Sequence, residues 1–450
     1  MTSLQSVADH QRYFNLLLES QFWPEAKMLA YQRRELEPLL RHARASAPFY
    51  RDRLAPLFRA DGSLDWDRWS EVPILKRPEL VANRDAIVIA PLPGHGTTGT
   101  ISTSGSTGFP LQVVYTFMSA LTTQAVKWRA DTWYGIDWSK VLYFRRGDDT
   151  TAAWPQGVAM GPWGPPWDAA AQQGKSFRVS SDASPDQQLE LLRRIGATYA
   201  ATGGPKQALA MAFAAERHNL PTRLDAILTS GEGVDAVDRD YCRRLFGSEI
   251  FDVYSSKEGN HMASRCPTQG CWHVNAETLL LEIVDDDGRA CAPGETGRVV
   301  ITPFYATAQP LIRYDHGDLA VAGDRCACGR TLPALTQLLG RVVHLFRHPD
   351  GRTIARFLPE KARALLKAGP WQIAQTGPNA YELRYIPLDW SEQGEEAAVE
   401  TVFRQVYFPD ATLSFRRTRS IPPLASGKFM EYVNEFSNPP PPAAMTKKDS

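Results

Sequence analysis

The sequence predicts an α/β fold with a large N-terminal domain and a small α+β C-terminal domain. Three observations support this prediction. Apolar runs of strand length alternate with helical patterns between residues 185 and 256, apolar and polar residues alternate between turns over 272–323, and Gly340-Arg341 precedes a distinct final unit. The first pattern predicts helix-flanked, mostly parallel sheets, and the second predicts a small β-rich subdomain. We therefore expect domains at residues 1–340 and 341–436, followed by a disordered Pro-rich tail at 437–450.

The composition limits the class of protein. A chain of 450 residues is too long for one compact core. Its 50 Lys and Arg residues balance its 50 Asp and Glu residues, which argues against nucleic acid and against an anionic membrane as partners. No apolar window is long enough to span a membrane, and the N-terminus lacks the pattern of a secretory signal. We expect a cytoplasmic protein whose cysteines are thiols or metal ligands. The sequence also permits a homodimer.

Helical spacing of apolar residues predicts helices over residues 4–56, and a very different stretch follows them. From Gly96 to Gly108, twelve of thirteen residues are Gly, Ser or Thr. Such a segment offers almost no apolar surface, and glycine loses the most backbone entropy on ordering, so a ligand must order it. Its backbone N–H groups and hydroxyls suit an anion such as a phosphate chain. A flexible Gly/Ser linker is the alternative, although apolar segments of a continuing domain flank the run.

The middle of the chain supplies further loops. The run Val141-Leu142-Tyr143-Phe144 predicts a short buried strand. Residues 154–167, with three Trp and four Pro, predict an irregular loop whose aromatic side chains either line a pocket or cover a domain surface. Ligands of parallel sheets bind beyond the carboxyl ends of the strands. The loops predicted at those ends are Gly203-Gly204-Pro205, Ser230-Gly231-Glu232-Gly233 and Ser255-Ser256-Lys257-Glu258-Gly259.

Together these segments resemble the motifs of the adenylate-forming superfamily of acyl-CoA synthetases and adenylation domains, and within it the phenylacetate-CoA ligase-like branch. The resemblance covers nearly the whole chain. A lone Gly/Ser/Thr loop would be weak evidence, whereas a set of motifs in the family order is specific. The matching segments are Ala47 to Arg51, Val72 to Lys76, the phosphate loop Thr103 to Pro110, Ser230 to Gly233, Asp252 to Gly259, Tyr314 to Asp318, Gly340-Arg341 and Pro423 to Lys428.

The resemblance implies an ATP-dependent enzyme that activates a carboxylic acid as an acyl-AMP, releases pyrophosphate and then transfers the acyl group. Lys428 would bridge the substrate carboxylate and the α-phosphate before the C-terminal lid domain moves. Glu258 would bind Mg²⁺, and Asp318 would accept hydrogen bonds from the ribose hydroxyls. Further nucleotide contacts are implied for Ser104, Gly105, Ser106, Thr107, Gly108, Ser230, Gly231, Glu232, Asp252, Tyr254, Ser255 and Arg341.

Two positions depart from the family pattern. Lys257 stands where the superfamily usually has a Thr or Ser that contacts the α-phosphate, so the lysine either touches that phosphate as a catalytic cation or points away. Val342-Val343 stand where acidic hinge residues are common. These departures keep a catalytically inactive nucleotide-binding homologue as an alternative. Coenzyme A is the leading acceptor, with a carrier-protein thiol or an amine as alternatives, and the aromatic content favours an aryl or other planar acid.

Cysteine and histidine residues form a second constellation. Cys266, Cys271 and His273 lie within eight residues of one another, and Cys326 and Cys328 form another close pair. Two such groups on either side of a strand-rich segment suit a tetrahedral zinc site, and four ligands would leave no open position, so the zinc would be structural. Five candidates compete for four places, and ordinary buried thiols are the other interpretation. The resemblance implies Cys266, His273, Cys326 and Cys328, with Cys271 as a free thiol or an alternative ligand.

Overall fold

The computed structural model describes the chain over thirteen segments, in two compact units. The segments are 7–102, 111–145, 150–180, 183–231, 233–234, 236–341, 346–347, 353–354, 365–387, 390–391, 395–406, 410–421 and 431–436. One unit comprises residues 1–102, 112–316 and 320–338, and the other comprises 103–111, 317–319 and 339–450. The predicted tail at 437–450 lies outside the described residues. No helix within the described segments is long and apolar enough to cross a membrane.

Helices open the first unit, as the spacing of apolar residues predicts. They bury Leu17, Leu39 and Leu40 completely. A two-stranded antiparallel hairpin then leads into a long helix. These elements are α1 (Val7–Ser20), α2 (Glu25–Ser46), α3 (Tyr50–Arg53), α4 (Arg77–Ala82), α5 (Arg84–Ile87), β1 (Thr98–Ser102), β2 (Gln112–Thr116) and α6 (Phe117–Trp133). Short 3-10 helices lie at Ala55–Leu57, Trp66–Glu71, Thr150–Ala152 and Ala171–Gln173.

A 12-stranded sheet dominates the fold. Its strands are β3 (Val141–Arg145), β4 (Val158–Gly161), β5 (Lys175–Val179), β6 (Tyr199–Thr202), β7 (Ala226–Ser230), β8 (Glu249–Ser256), β9 (Asn260–Arg265), β10 (Trp272–Val274), β11 (Leu279–Val284), β12 (Thr296–Pro303), β13 (Tyr314–Ala322) and β14 (Ala334–Arg341). Their spatial order is β11-β12-β13-β14-β10-β9-β8-β7-β6-β3-β5-β4.

The parallel part of this sheet is the part that the alternating pattern predicts. Strands β5, β3, β6, β7 and β8 pair in parallel, and helices α7 (Pro185–Arg194), α8 (Pro205–Arg217) and α9 (Ala236–Phe246) connect them. Helix α7 begins at a capping box, in which Ser184 Oγ accepts from the backbone N–H of Gln187 at 3.3 Å, with proline at the first helical position. The fully buried Leu191, Met211 and Ile227 belong to the core between helices and sheet.

The α/β fold class is confirmed, and the structure refines its arrangement in two places. The predicted β-rich subdomain continues the same sheet, because β8 pairs in parallel with β7 on one side and antiparallel with β9 on the other. The prediction of a wholly irregular loop at 154–167 is wrong at Val158–Gly161, which forms β4 at the sheet edge, antiparallel to β5. An edge strand tolerates neighbouring Pro and Gly because one of its sides has no partner strand to pair with.

The second unit has an α+β core of its own. A four-stranded sheet has the order β19-β18-β17-β20, and a helix supplies Val399 and Phe403 to the buried cluster around Ile373 and Leu383. The elements are β15 (Phe346–Arg347), β16 (Thr353–Ile354), β17 (Ala368–Gly377), β18 (Ala380–Pro387), α10 (Glu396–Val406), β19 (Thr412–Arg417) and β20 (Tyr432–Asn434).

A buried ion pair fastens α6 to the segment after β10. Arg129 Nη1 lies 2.5 Å from Glu277 Oε1, and both side chains are 0% exposed. Ser20 Oγ of α1 donates to the same carboxylate at 2.5 Å, and Arg129 Nη2 donates to Asn275 Oδ1 at 2.6 Å. The charges are therefore fully desolvated and depend on each other.

We expect Arg129→Met to lower the free energy of unfolding by about 3–5 kcal/mol, because it leaves the carboxylate of Glu277 buried without a cation. Urea denaturation measures this change. The double variant Arg129→Met/Glu277→Gln should recover much of the lost free energy of unfolding, because it also removes the unpaired negative charge of Glu277. A single variant as stable as the double would contradict this explanation.

Candidate functional site

The turn between β8 and β9 holds the two charged residues that the sequence singles out, Lys257 and Glu258. It lies at the carboxyl end of the last parallel strand, where ligands of such sheets bind. The backbone N–H of Gly259 donates to Ser256 Oγ at 2.8 Å, which fixes the turn. A Cβ at Gly259 would lie 2.4 Å from Met262 Sδ, and Asn260 has a left-handed φ of 56°, a conformation that asparagine tolerates well. The turn therefore leaves no room for a side chain at Gly259 unless Met262 shifts.

Glu258 is a buried carboxylate with a cationic partner. Its exposed fraction is 4%, and Arg77 Nη1, from the first residue of α4, lies 3.3 Å from its Oε1. Burying a charge costs free energy unless the charge is paired. The ion pair with Arg77 therefore stabilises the buried carboxylate of Glu258. Arg77 was not predicted as a site residue, although Val72 to Lys76 immediately before it resemble a family motif. Nothing in the local pattern identifies a partner 181 residues away.

The structure shows where Lys257 points. Its ammonium donates to the backbone carbonyl of Ser102, the last residue of β1. Ser102 directly precedes the Gly/Ser/Thr-rich residues 103–110, which lie outside the described segments. The ammonium of Lys257 thus lies against the residue that precedes that loop, and its predicted contact with the α-phosphate stays a prediction.

Aromatic and polar residues continue the site along β8 and β13. Tyr254 Oη and His316 Nδ1 are 3.2 Å apart, and the two rings meet edge to face with centroids 5.8 Å apart. Ser255 follows Tyr254 on β8. Asp318 lies on β13 and is 7% exposed.

The carboxylate of Asp252 has a different environment. It is fully buried and forms an ion pair with Arg239 of α9, while Arg265 Nη1 lies 3.9 Å away. These contacts hold α9 against β8. The nucleotide contact that the resemblance implies for Asp252 stays a prediction.

The remaining predicted positions are only partly described. Ser230 ends β7, and Gly231 follows it with a positive φ of 88°, a conformation that glycine adopts readily. Arg341 ends β14, but its side chain lies outside the described part of the chain. The predicted phosphate contacts Ser104, Gly105, Ser106, Thr107 and Gly108, as well as Glu232 and Lys428, also lie outside the described residues.

The cysteine and histidine cluster forms as the spacing predicts. The ligand atoms of Cys266, Cys271, His273 and Cys326 all lie within 4.8 Å of one another. The sulfur atoms of Cys326 and Cys266 are 3.7 Å apart, close to the roughly 3.8 Å between two thiolates on one tetrahedral zinc ion with bonds of about 2.3 Å. Cys328 Sγ lies 3.2 Å from His273 Nε2. The compact group of four therefore contains Cys271 and not Cys328, whereas the resemblance implies Cys328 as a ligand and Cys271 as the alternative.

The groups of this cluster differ in protonation state, because burial raises the pKa of the Cys326 thiol while two other groups favour the forms that bind metal. Burial lowers the pKa of His273 to about 4, so its imidazole is neutral at physiological pH, the form that binds metal. Burial opposes ionisation of Cys266, but a hydrogen bond from Thr268 and others from the backbone outweigh it and lower the pKa of its thiol to about 7. Burial raises the pKa of Cys271. A divalent cation would favour the thiolate at each of these sulfur atoms.

Comparison with known proteins gives one curated relative and several solved structures. No family model matches the chain. The phenylacetate-coenzyme A ligase of Thermus thermophilus is 26% identical over 330 residues, which cover 71% of this chain and 71% of that protein. A 2-hydroxyisobutyryl-CoA ligase, solved in the postadenylation state with an acyl-AMP, is similar in fold, with a TM-score of 0.69 and 20% identity over 92% of this chain and 93% of its own.

An anthranilate-CoA ligase in complex with anthranoyl-AMP is a more distant structural neighbour. It has a TM-score of 0.53 and 14% identity, and the match covers 73% of this chain and 65% of that chain. At these identities the two solved structures establish the fold. The chain is therefore similar in sequence to a phenylacetate-coenzyme A ligase, and it shares the fold of CoA ligases that were solved with an acyl-AMP.

Proposed function

We propose that the protein is an AMP-forming acid–thiol ligase. A carboxylate oxygen of the substrate attacks the α-phosphorus of ATP, pyrophosphate leaves, and the thiol of coenzyme A then attacks the acyl carbon while AMP leaves. The observation that carries the proposal is the β8–β9 turn, in which a buried, ion-paired Glu258 adjoins a lysine held at the beginning of the Gly/Ser/Thr-rich loop. Homology to a CoA ligase over most of the chain supports the choice of acceptor.

The proposed roles follow the charges that adenylation develops. Negative charge must be neutralised on the carboxylate, on the α-phosphate and on departing pyrophosphate. Lys428 is the proposed cation between the first two, and Lys257 adds charge near the phosphate loop, Ser104 to Gly108. Asp318 would hold the ribose, and Tyr254 would lie against the adenine.

Glu258 is the residue that would hold Mg²⁺. A carboxylate oxygen is the ligand that this hard cation prefers, and the ion would supply charge neutralisation at the β- and γ-phosphates. Arg77 Nη1 contacts Oε1 of Glu258, and the carboxylate has a second oxygen that could bind such an ion. The proposed magnesium site therefore rests on the chemistry of the carboxylate oxygens of Glu258.

The domain roles and location complete the proposal. Residues 1–340 would form the adenylation domain and 341–436 a lid that carries Lys428, with a Pro-rich tail at 437–450. A homodimer stays an expectation from the sequence. A cytoplasmic location agrees with the cysteines, since all six are free thiols, and reduced thiols are needed for the metal site.

We propose that the cysteine and histidine cluster binds one structural zinc ion through Cys266, His273, Cys326 and Cys328. Cys271 lies in the same cluster and competes for the fourth place. The ion would join the strand after the Glu258 turn to the segment beyond Asp318, so it would support the site without taking part in the chemistry.

Metal analysis of two single variants tests this assignment. Cys328→Ala should lose most of the bound zinc and melt at a lower temperature, whereas Cys271→Ala should keep the metal. The reverse result would give the fourth place to Cys271. Full zinc content in both of these variants and in Cys266→Ala would contradict a zinc site.

Product analysis by mass spectrometry tests the proposed reaction. The protein is incubated with ATP, Mg²⁺ and a panel of carboxylic acids, first alone and then with coenzyme A, a phosphopantetheinylated carrier protein or a simple amine. We expect acyl-AMP in the first set and acyl-CoA in the second. Acyl-AMP that reacts only with the carrier protein or the amine would overturn the choice of acceptor while leaving adenylation intact.

A further inference from the structure

A cavity lies between α2, the 3-10 helix Trp66–Glu71 and β11, the edge strand of the large sheet. Its volume is about 180 Å³, more than the roughly 150 Å³ of an engineered apolar cavity that holds benzene. Leu29 is 44% exposed, so the cavity opens to solvent. None of the lining residues has a role in the adenylation proposed above. They are Leu29, Gln32, Arg33, Leu36, Trp66, Trp69, Leu280 and Glu282.

The walls of the cavity are mainly apolar. Three leucines and two tryptophans make up most of the lining, and Leu36 is 2% exposed. The rings of Trp66 and Trp69 have centroids 6.3 Å apart and planes tilted by 38°. Aromatic rings bury a large apolar area and favour offset or tilted contact with other rings. A planar ring is therefore the ligand group that these walls suit best.

Hydrogen bonds fix the segment that carries both tryptophans. Arg313 is 2% exposed, and its Nη1 donates to the backbone carbonyls of Ser70 and Val72, each at 2.8 Å. These two carbonyls lie at the end of the 3-10 helix Trp66–Glu71. A ligand would therefore not have to order this wall when it binds, and such preorganisation favours affinity.

Two of the three remaining lining residues already have partners. Gln32 Nε2 donates to the backbone carbonyls of Ala276 and Leu279, at 3.1 and 3.4 Å, and its amide oxygen is an uncharged acceptor. The carboxylate of Glu282 faces the guanidinium of Arg313, with Oε1 3.1 Å from Nη2 and Oε2 3.4 Å from Nε. The negative charge of Glu282 is thus compensated and does not require a cationic ligand.

Arg33 leaves the cavity with a positive charge. Its guanidinium lies 5.7 Å from the ring centroid of Trp66, and among the described residues no carboxylate forms an ion pair with it. The indole N–H groups of the tryptophans can only donate hydrogen bonds. An ammonium group in the cavity would therefore meet like charge, whereas a carboxylate would gain a charge-assisted hydrogen bond to a guanidinium.

We propose that this cavity is a second acid-binding site that takes a small aryl carboxylate, with the ring between the tryptophan and leucine walls and the carboxylate at Arg33. The site differs from that of the acid activated in the proposed adenylation, because it shares no residue with the Glu258 turn or with the other residues given a role there. Binding at this site therefore does not depend on whether the protein forms acyl adenylates.

Calorimetry without ATP tests the ligand class with benzoate, benzamide, benzylamine and hexanoate. The first three share a ring and carry an anionic, a neutral or a cationic group, and hexanoate carries the carboxylate without the ring. We expect benzoate to bind about fivefold more tightly than benzamide, the effect of an ion pair partly exposed to solvent, and more tightly than the other two probes. Equal or tighter binding of any other probe, or no binding of benzoate in the millimolar range, would overturn the inference.

Three variants locate the binding site. Arg33→Gln should reduce benzoate binding to the level of benzamide, and Leu280→Trp should weaken binding of both because its larger ring occupies the cavity. Arg34→Gln is the matched control. Arg34 is the next residue of α2, but it pairs with Glu35 at 2.8 Å and does not line the cavity, so this variant should bind benzoate as wild type does. Thermal unfolding confirms that the variants fold.

Two further results would contradict the proposed site. Unchanged benzoate binding in folded Arg33→Gln and Leu280→Trp would place the acid elsewhere on the protein and overturn the inference. Sedimentation velocity tests a different occupant, a second copy of the chain. A wild-type dimer that becomes monomeric in Leu280→Trp would show that a second copy covers the cavity, and would also overturn it.

Discussion

Replacing Lys428 with alanine is expected to abolish acyl-AMP formation while leaving ATP binding nearly intact. In the proposed reaction two anions, the substrate carboxylate and the α-phosphate, must approach each other, and a cation placed between them stabilises the transition state more than the ground state. Loss of one such electrostatic contact typically costs about 10²–10³ in rate. Single-turnover formation of acyl-AMP measures the rate, and calorimetry with ATP measures binding.

A matched variant controls for a general effect of removing one positive charge. Lys447→Ala changes another lysine near the C-terminus, in the predicted tail, and should leave both measurements at the wild-type values. If Lys428→Ala kept more than about a tenth of the wild-type rate, the assignment of this lysine to the first step would be wrong, and another cation, with Lys257 as the first candidate, would have to serve.

Glu258→Gln should have the second-largest effect on catalysis, a loss of about 10²–10³ in kcat/KM for ATP. The amide keeps the size of the side chain but loses the charge that would hold Mg²⁺. The Mg²⁺ concentration needed for half-maximal rate should rise at the same time. Binding of Mn²⁺ to the ATP complex, measured by paramagnetic relaxation, gives a readout that does not depend on turnover.

Arg77→Met separates the metal role of Glu258 from its structural role. This variant leaves the buried carboxylate in place without its cation, so it should destabilise the fold and yet retain Mn²⁺ binding in the protein that remains folded. Glu258→Gln, by contrast, should bind Mn²⁺ poorly at little cost in stability, because a neutral amide can still accept from Arg77. Normal metal binding by folded Glu258→Gln would contradict the proposed ligand.

The parts of the fold that local pattern controls could be predicted from sequence. Helix α7 is an example, since Ser184-Pro185 defines its start and its apolar spacing defines the buried face. The parallel strands β6, β7 and β8 were also predictable because each is a short apolar run between helices. Strand β4 was not, since it forms by backbone pairing to β5 and its Pro- and Gly-rich surroundings conceal it.

The residues of the candidate site could also be predicted from sequence only in part. Lys257 and Glu258 could be identified because they lie in a motif with a family order. Glu258 contacts Arg77, and Lys257 contacts the backbone carbonyl of Ser102. These two partners come from distant parts of the chain and belong to no motif.

The central claim is that this protein forms acyl adenylates, and acid-dependent exchange of labelled pyrophosphate into ATP tests it most directly. The exchange requires only the first step, so it does not depend on which acceptor is correct. We predict exchange that requires a carboxylic acid and Mg²⁺ and that disappears in Lys428→Ala. No exchange with any acid, in a protein that still binds AMP, would contradict the claim and indicate a nucleotide-binding homologue without catalysis.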